Sequence, residues 1–143
     1  MKYLLDTDHI SFLLLNNAPE RGRIEGNIHR VGQHGVGLSI VSFHEQMMGC
    51  HNKLIRATGP DELVQWYLLM GDIFDLYAKS NLVLFDSAAA LEFNGLRRIR
   101  KLRIKPMDLR IASIALSRNM TVVTRNLADF GRVPNLPIEN WTL

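Results

Sequence analysis

Residues 2–8 read KYLLDTD: a short apolar run, Tyr3, Leu4 and Leu5, closed by Asp6, Thr7 and Asp8. An apolar run without polar alternation is the pattern of a strand covered on both faces. Asp and Thr are favoured where a strand turns into a helix, because their side-chain oxygens accept from the helix's free N–H groups. The stretch therefore predicts a buried strand over 2–5, a capping turn, and a helix over 9–15 that ends where residues 16–19 break the chain.

The same unit recurs downstream. After a polar helix over 20–33, VGLSIV at 36–41 reads as a second strand, with Ser42 as the N-cap of a helix carrying Phe43, Met47, Met48, Leu54 and Ile55 up to Gly59-Pro60. From Asp61, the residues Leu63, Trp66, Tyr67, Met70, Ile73, Phe74 and Tyr77 recur at spacings of three and four, the apolar face of another helix. LVLF at 82–85 is a third strand, and Asp86 or Ser87 caps a helix through Leu91, Phe93, Leu96 and Ile99. Pro106 interrupts that pattern before a helix with Leu109, Ile111, Ile114 and Leu116, and TVVT at 121–124 and a short stretch near Ile138 complete the strands. Strands alternating with helices imply a parallel sheet covered on both faces, in one α/β domain over 1–143.

The composition agrees. A chain of 143 residues that is 47% hydrophobic and 22% charged has the size and apolar content of one domain with a real core, which excludes fibrous, collagen-like and disordered classes. Seventeen Lys and Arg against fourteen Asp and Glu give +3, a balance that permits nucleic acid without requiring it. The single cysteine, Cys50, cannot form an internal disulfide; it reads as a small buried hydrophobe and fits a reducing compartment. Two Asp and a His interrupt the apolar start, and no later run approaches a membrane span, so the expectation is a soluble cytoplasmic protein. His9, His29, His34, His44 and His51 show no zinc-type spacing and are assigned packing or surface roles. The row Trp66, Tyr67, Met70, Phe74 and Tyr77 reads as core or dimer contact in preference to a base-stacking platform.

In open parallel sheets, ligands bind beyond the carboxyl ends of the strands. Asp6 follows the first strand, Glu45 lies on the first turn or so after the second, Asp108 stands near the start of its helix, and Asp129 falls in the loop after the fourth. Each alone is explained by capping or by the helix dipole. Together they would repel and raise one another's pKa unless something positive compensated, and no Lys or His recurs at those four places. A divalent cation is the economical compensator, and an all-oxygen shell favours Mg²⁺ or Mn²⁺ over zinc. Spacing alone does not bring the four together.

YLLDTDHIS around Asp6, LSIVSFHEQMMG around Glu45, PMDLRIASIAL around Asp108 and TVVTRNLADF around Asp129 resemble the PIN-domain ribonucleases, and most closely the VapC-type toxins of prokaryotic toxin–antitoxin pairs. The likeness runs from residue 2 to the tail RVPNLPIENW at 132–141. It implies a PIN-like three-layer α/β/α fold with a mostly parallel sheet of four to five strands. It also implies a metal-binding acidic cluster of Asp6, Glu45, Asp108 and Asp129, holding one or two Mg²⁺ or Mn²⁺ ions. Thr124 and Asn126 match polar residues that orient carboxylate or water, and Asp8 is assigned chiefly to the N-cap, with contact to a metal-bound water as a lesser role. Gln46 departs from the apolar residue of many relatives and is expected to point away from the acids.

The activity so implied is endoribonuclease, cutting a structured RNA such as tRNA to leave 5′-phosphate and 3′-hydroxyl ends. Implied partners are a VapB-type antitoxin, which supplies DNA binding and whose C-terminal segment wraps the nuclease and places an arginine near the acids, and a second copy of the chain. RRIRKLRIK at 97–105 holds six Lys and Arg without an acid; on a helix Arg97, Arg98, Lys101 and Lys105 would fall broadly on one side, a ridge for RNA phosphates or simply a solvated face. YLLDTD also resembles the strand end of haloacid-dehalogenase-type phosphatases, but these need a late acidic pair after a strand, and MGDIFD at 70–75 lies within a helical pattern. A non-catalytic PIN-type RNA-binding module is the other alternative, disfavoured by the presence of all four acids.

Overall fold

Leu4 and Leu5 are both fully buried, and because successive strand residues point to opposite faces they enter two different cores. The computed structural model describes residues 1–15 and 18–143, so Asn16 and Asn17 of the expected chain break lie outside the described residues. The elements run β1 (Tyr3–Leu5), α1 (Thr7–Leu13), α2 (Pro19–Val31), a 3₁₀ turn (Gln33–Gly35), β2 (Val36–Ser39), α3 (Ile40–Ile55) and α4 (Pro60–Ala78). They continue with β3 (Asn81–Val83), α5 (Ser87–Arg97), α6 (Pro106–Ser117), β4 (Thr121–Val123), α7 (Leu127–Phe130) and β5 (Ile138–Glu139).

The five strands form one sheet in the order β3-β2-β1-β4-β5, every pairing parallel. Leu4 and Val122 join Val83, Leu96, Ile111, Ile114 and Phe130 in a core built against α5 and α6. Leu5, Leu38 and Val123 join Ile10, Ile24, Cys50, Ile73 and Tyr77 in a second core under α1 to α4. The result is a three-layer α/β/α arrangement whose sheet is wholly parallel. Gly37 in β2 is required by close approach, since a Cβ there would stand 2.8 Å from Val83 Cγ2 and 2.7 Å from Met1 Sδ. Among the described residues, no buried side-chain nitrogen or oxygen lacks a hydrogen-bond partner.

Several boundaries differ from the sequence reading, each for a local reason. The strand expected over 36–41 stops at Ser39, whose hydroxyl accepts from Ser42 N at 2.9 Å, so Ser39 and not Ser42 caps α3. Residues 84 and 85 lie beyond β3, and Asp86 takes the cap of α5 by accepting from Ala89 N. Pro106 opens α6 at its first position, where a missing N–H costs nothing. The short α7, capped by Asn126, was not anticipated.

The aromatic row on α4 divides. Trp66, Met70 and Tyr77 pack into the second core, whereas Tyr67 and Phe74 are 59% and 65% exposed. Cys50 is buried as expected, its thiol donating to Trp66 O. No helix among the described residues is long and apolar enough to cross a membrane.

Candidate active site

The strand order turns back on itself at β1: the chain builds β2 and β3 on one side of it, then β4 and β5 on the other. At such a switch point the loops leaving adjacent strands diverge and open a crevice at the carboxyl edge. Asp6 and Thr124 are the residues that immediately follow the paired ends Leu5 and Val123. Asp6 is 5% exposed and caps α1, Oδ1 accepting from Thr7 N at 2.7 Å and Oδ2 from the Thr124 hydroxyl at 2.8 Å. The expected start of α1 at His9 thus moves two residues back.

Glu45 reaches the crevice from the second turn of α3. Its Oε1 accepts from the Thr7 hydroxyl at 2.8 Å, and that hydroxyl lies 3.1 Å from Ser42 Oγ, so one threonine ties α1 to α3. Asp108, 9% exposed, sits in the first turn of α6. Asn126 joins it to Asp129: its amide lies 3.0 Å from Asp129 Oδ2 and 3.4 Å from Asp108 Oδ2, while its own oxygen accepts from Asp129 N at 3.3 Å. Thr124 closes the network by accepting from Asn126 N at 2.9 Å.

The electrostatics report how near the acids are. Burial, reinforced by the charges of Asp8 and Asp108, pushes the Asp6 carboxyl up to about 7, against the help of its Thr124 and Thr7 hydrogen bonds. Burial, with Glu45, Asp129 and Asp8, raises Asp108 to about 6, and Lys105 partly offsets this. The four acids from distant parts of the chain therefore share one field. Among the described residues, no three His, Cys, Asp or Glu side chains form a ready-made metal cage. The carboxylates are held instead by hydrogen bonds to Thr7, Thr124 and Asn126. The donor set still suits a hard divalent cation, since Mg²⁺ retains several waters and takes only one or two carboxylates directly.

Asp8 is not the N-cap. It stands in the first turn of α1, accepts from His9 Nδ1 at 2.7 Å and from Arg125 N at 2.9 Å, and lies 3.4 Å from Thr124 Oγ1. Burial would raise its pKa, but the His9 and Arg125 hydrogen bonds outweigh it and hold Asp8 below the ordinary carboxylate value.

Gln46 does point away from the acids, accepting from the Tyr77 hydroxyl and donating to Ser11 Oγ. Burial, with the charges of Glu45 and Asp6, raises the Tyr77 phenol well above its usual range. Sequence reasoning missed Thr7, Ser42 and His9; the hydroxyls behind strand ends were the available signal, but nothing local shows which carboxylate they meet.

The basic segment is not a helical ridge. Helix α5 stops at Arg97, Arg98 is its C-cap, and Lys101 takes a left-handed φ of 70° that no helix allows. Lys105 is extended, as the residue before a proline must be. Residues 98–105 form a loop held by Leu102 and Ile104 against the first core. Arg132 Nη1 donates to Arg103 O at 3.0 Å and lies 3.6 Å from Asp129 Oδ1. Lys105 and Arg132 accordingly flank the acids, so positive charge does recur there, brought by the fold.

No family model matches the chain. Among curated proteins it is 30% identical over 142 residues to ribonuclease VapC2 of Rickettsia felis, covering 99% of this chain and 98% of the relative. It is 28% identical over 147 residues to the tRNA(fMet)-specific endonuclease VapC of Salmonella typhimurium, with 99% and 98% covered. Among solved structures, DNA-bound VapBC from Salmonella typhimurium superposes with a TM-score of 0.78 at 23% identity, covering 99% of this chain and 98% of that one. FitAcB from Neisseria gonorrhoeae gives 0.72 at 26% identity, with 96% of each chain covered. With the acids gathered at the switch point of the same fold, similarity of this extent means that the chain belongs to the VapC family of PIN-domain ribonucleases.

Proposed function

We propose that this chain is a metal-dependent endoribonuclease, the toxin of a toxin–antitoxin pair, that hydrolyses phosphodiester bonds in a structured RNA such as tRNA. The observation that carries the reading is the meeting of Asp6 and Asp108 with Glu45 and Asp129 in one field at the sheet's carboxyl edge, with two of the carboxyls pushed towards neutral pH. Keeping these acids together costs stability, and a fold retains such a cost where chemistry needs it.

Asp6, Glu45, Asp108 and Asp129 would hold one or two Mg²⁺ or Mn²⁺ ions. The chemistry such an ion would supply is a lower pKa for a water, making hydroxide available against the phosphate, and neutralisation of charge on the leaving oxygen, which would give 5′-phosphate and 3′-hydroxyl ends. The protein's own residues set the geometry. Thr124 and the Thr7 backbone fix the rotation of Asp6, the Thr7 hydroxyl holds Glu45, and Asn126 spaces Asp108 from Asp129. Lys105, Arg132 and the 98–105 loop put cations beside the acids, where the RNA backbone would be held.

The solved relatives include VapBC complexes bound to DNA, so the expected partner is a VapB-type antitoxin that carries the DNA contact. The exposed Val64, Tyr67, Leu68 and Phe74 on α4 are the surface that a homodimer would cover. One experiment tests the function: 5′-end sequencing of total RNA, tRNA included, after incubation with the purified chain in Mg²⁺, in Mn²⁺ and in chelator. Discrete 5′-phosphate ends that vanish with chelator are expected. Intact RNA under every condition would leave a non-catalytic RNA-binding module in its place.

A further inference from the structure

His9 is fully buried in α1, and both of its ring nitrogens are engaged. The backbone N–H of Trp141 donates to Nε2 at 3.1 Å, and Nδ1 lies 2.7 Å from Asp8 Oδ1. A ring nitrogen that accepts from an N–H carries no hydrogen, so the ring's hydrogen sits on Nδ1 and is donated to Asp8. The other oxygen of Asp8 accepts from Arg125 N at 2.9 Å and approaches Thr124 Oγ1 at 3.4 Å, and Thr124 in turn donates to Asp6. Contacts therefore run unbroken from the backbone beyond β5, through His9 and Asp8, to the turn that carries Thr124 and Asn126.

We propose that His9 is a positioning residue of the acidic site: held as the Nδ1–H tautomer by the Trp141 backbone, it fixes Asp8 as the anchor of the turn at residues 124–126, and through that turn the placement of Asp6, Asp108 and Asp129. The inference rests on the nuclease reading and deepens it. Packing alone does not account for the geometry. A leucine would fill the space but would leave the buried Trp141 N–H without a partner, a loss that is not tolerated cheaply, and would take from the half-buried Asp8 the ring donor that fixes its rotation. Partners that orient a ligand in this way are worth about 10- to 100-fold in metal affinity or activity.

The test compares wild type with His9→Leu, His9→Asn and His9→Gln, reading RNA cleavage, Mn²⁺ affinity by calorimetry and the imidazole tautomer by ¹⁵N NMR. The Asn amide occupies the place of Nδ1 and can donate to Asp8; the Gln amide occupies that of Nε2 and cannot. Expected are an Nδ1–H tautomer in wild type, a loss of about 10- to 100-fold in cleavage and Mn²⁺ affinity for Leu and Gln, and recovery for Asn. An Nε2–H tautomer, Asn as impaired as Leu, or Leu equal to wild type would each overturn the proposal while the nuclease reading stood. Wild type that neither cleaves RNA nor binds Mn²⁺ would overturn both. If His9→Leu does not fold, the tautomer and the Asn-to-Gln contrast decide.

Discussion

Thr124 donates its hydroxyl to Asp6 Oδ2 at 2.8 Å, joining residues 118 apart in the chain across the boundary between β1 and β4. The parallel register, Leu5 opposite Val123, places the next residue of each strand side by side, so the bond is a direct product of the sheet. Thr124→Val removes the donor and leaves the Asp6 oxygen facing a methyl group. Cleavage is expected to fall about 10- to 100-fold, with Thr124→Ser close to wild type, measured as initial rates at fixed Mg²⁺.

Asp6→Asn and Asp108→Asn remove a charge that the fold resists. Both should abolish cleavage with the far-ultraviolet circular dichroism unchanged. Without divalent metal at pH 8 they should also raise stability, by about 1–2 kcal/mol, since the amide needs no desolvated charge. Thermal melts in chelator check this, and a lower melting temperature in both would contradict the burial argument.

The same raised values set a pH dependence. Asp6 and Asp108 move from an ordinary 3.8 to about 7 and about 6 in the folded protein. Between those limits the folded state binds more protons than the unfolded one, so metal-free stability falls as pH rises from about 4 to 7. Cation binding needs the deprotonated acids and releases their protons. Cleavage at limiting Mg²⁺ should therefore rise through pH 6 to 7, and the midpoint should move down as Mg²⁺ increases. A midpoint independent of Mg²⁺ would count against these two acids as ligands.

Arg97 and Arg98 mark the start of the basic loop. If the loop holds RNA phosphates, replacing both with Ala should reduce the slope of log affinity against log salt by about 1.5, as each lost phosphate contact removes about 0.7–0.9. Filter binding with the inactive Asp108→Asn protein as background measures it. An unchanged slope would assign the loop to solvation alone.

Gly37→Ala tests the sheet itself. The added methyl meets Val83, buried in the first core, and Met1. Overpacking of this kind should cost about 1–3 kcal/mol in urea unfolding, relieved in part by Val83→Ala in the same chain.

Much of this was legible along the chain, because its signals are local. Apolar runs without alternation mark buried strands, prolines at 60 and 106 mark breaks between helices, and acids beyond strand ends mark a carboxyl edge. Those signals place Asp6, Glu45, Asp108 and Asp129 at the right kind of position, and the resemblance to VapC-type toxins rests on the same residues. The errors were of two kinds. Ser39 and Ser42 both suit a cap, and the choice between them depended on where the strand lost its partner. The 97–105 segment carries helix-compatible residues, but packing of Leu102 and Ile104 against the core turns it into a loop.

Which atoms meet is a matter of strand order, and no local pattern encodes it. Only the sequence β3-β2-β1-β4-β5 sets Thr124 beside Asp6, lets Asn126 bridge Asp108 and Asp129, and brings Lys105 and Arg132 to the rim of an acidic site. It likewise buries His9 between Asp8 and the Trp141 backbone, a role that a lone histidine in a sequence does not announce. Local chemistry thus chose the residues, and burial of two apolar faces on one parallel sheet chose their neighbours.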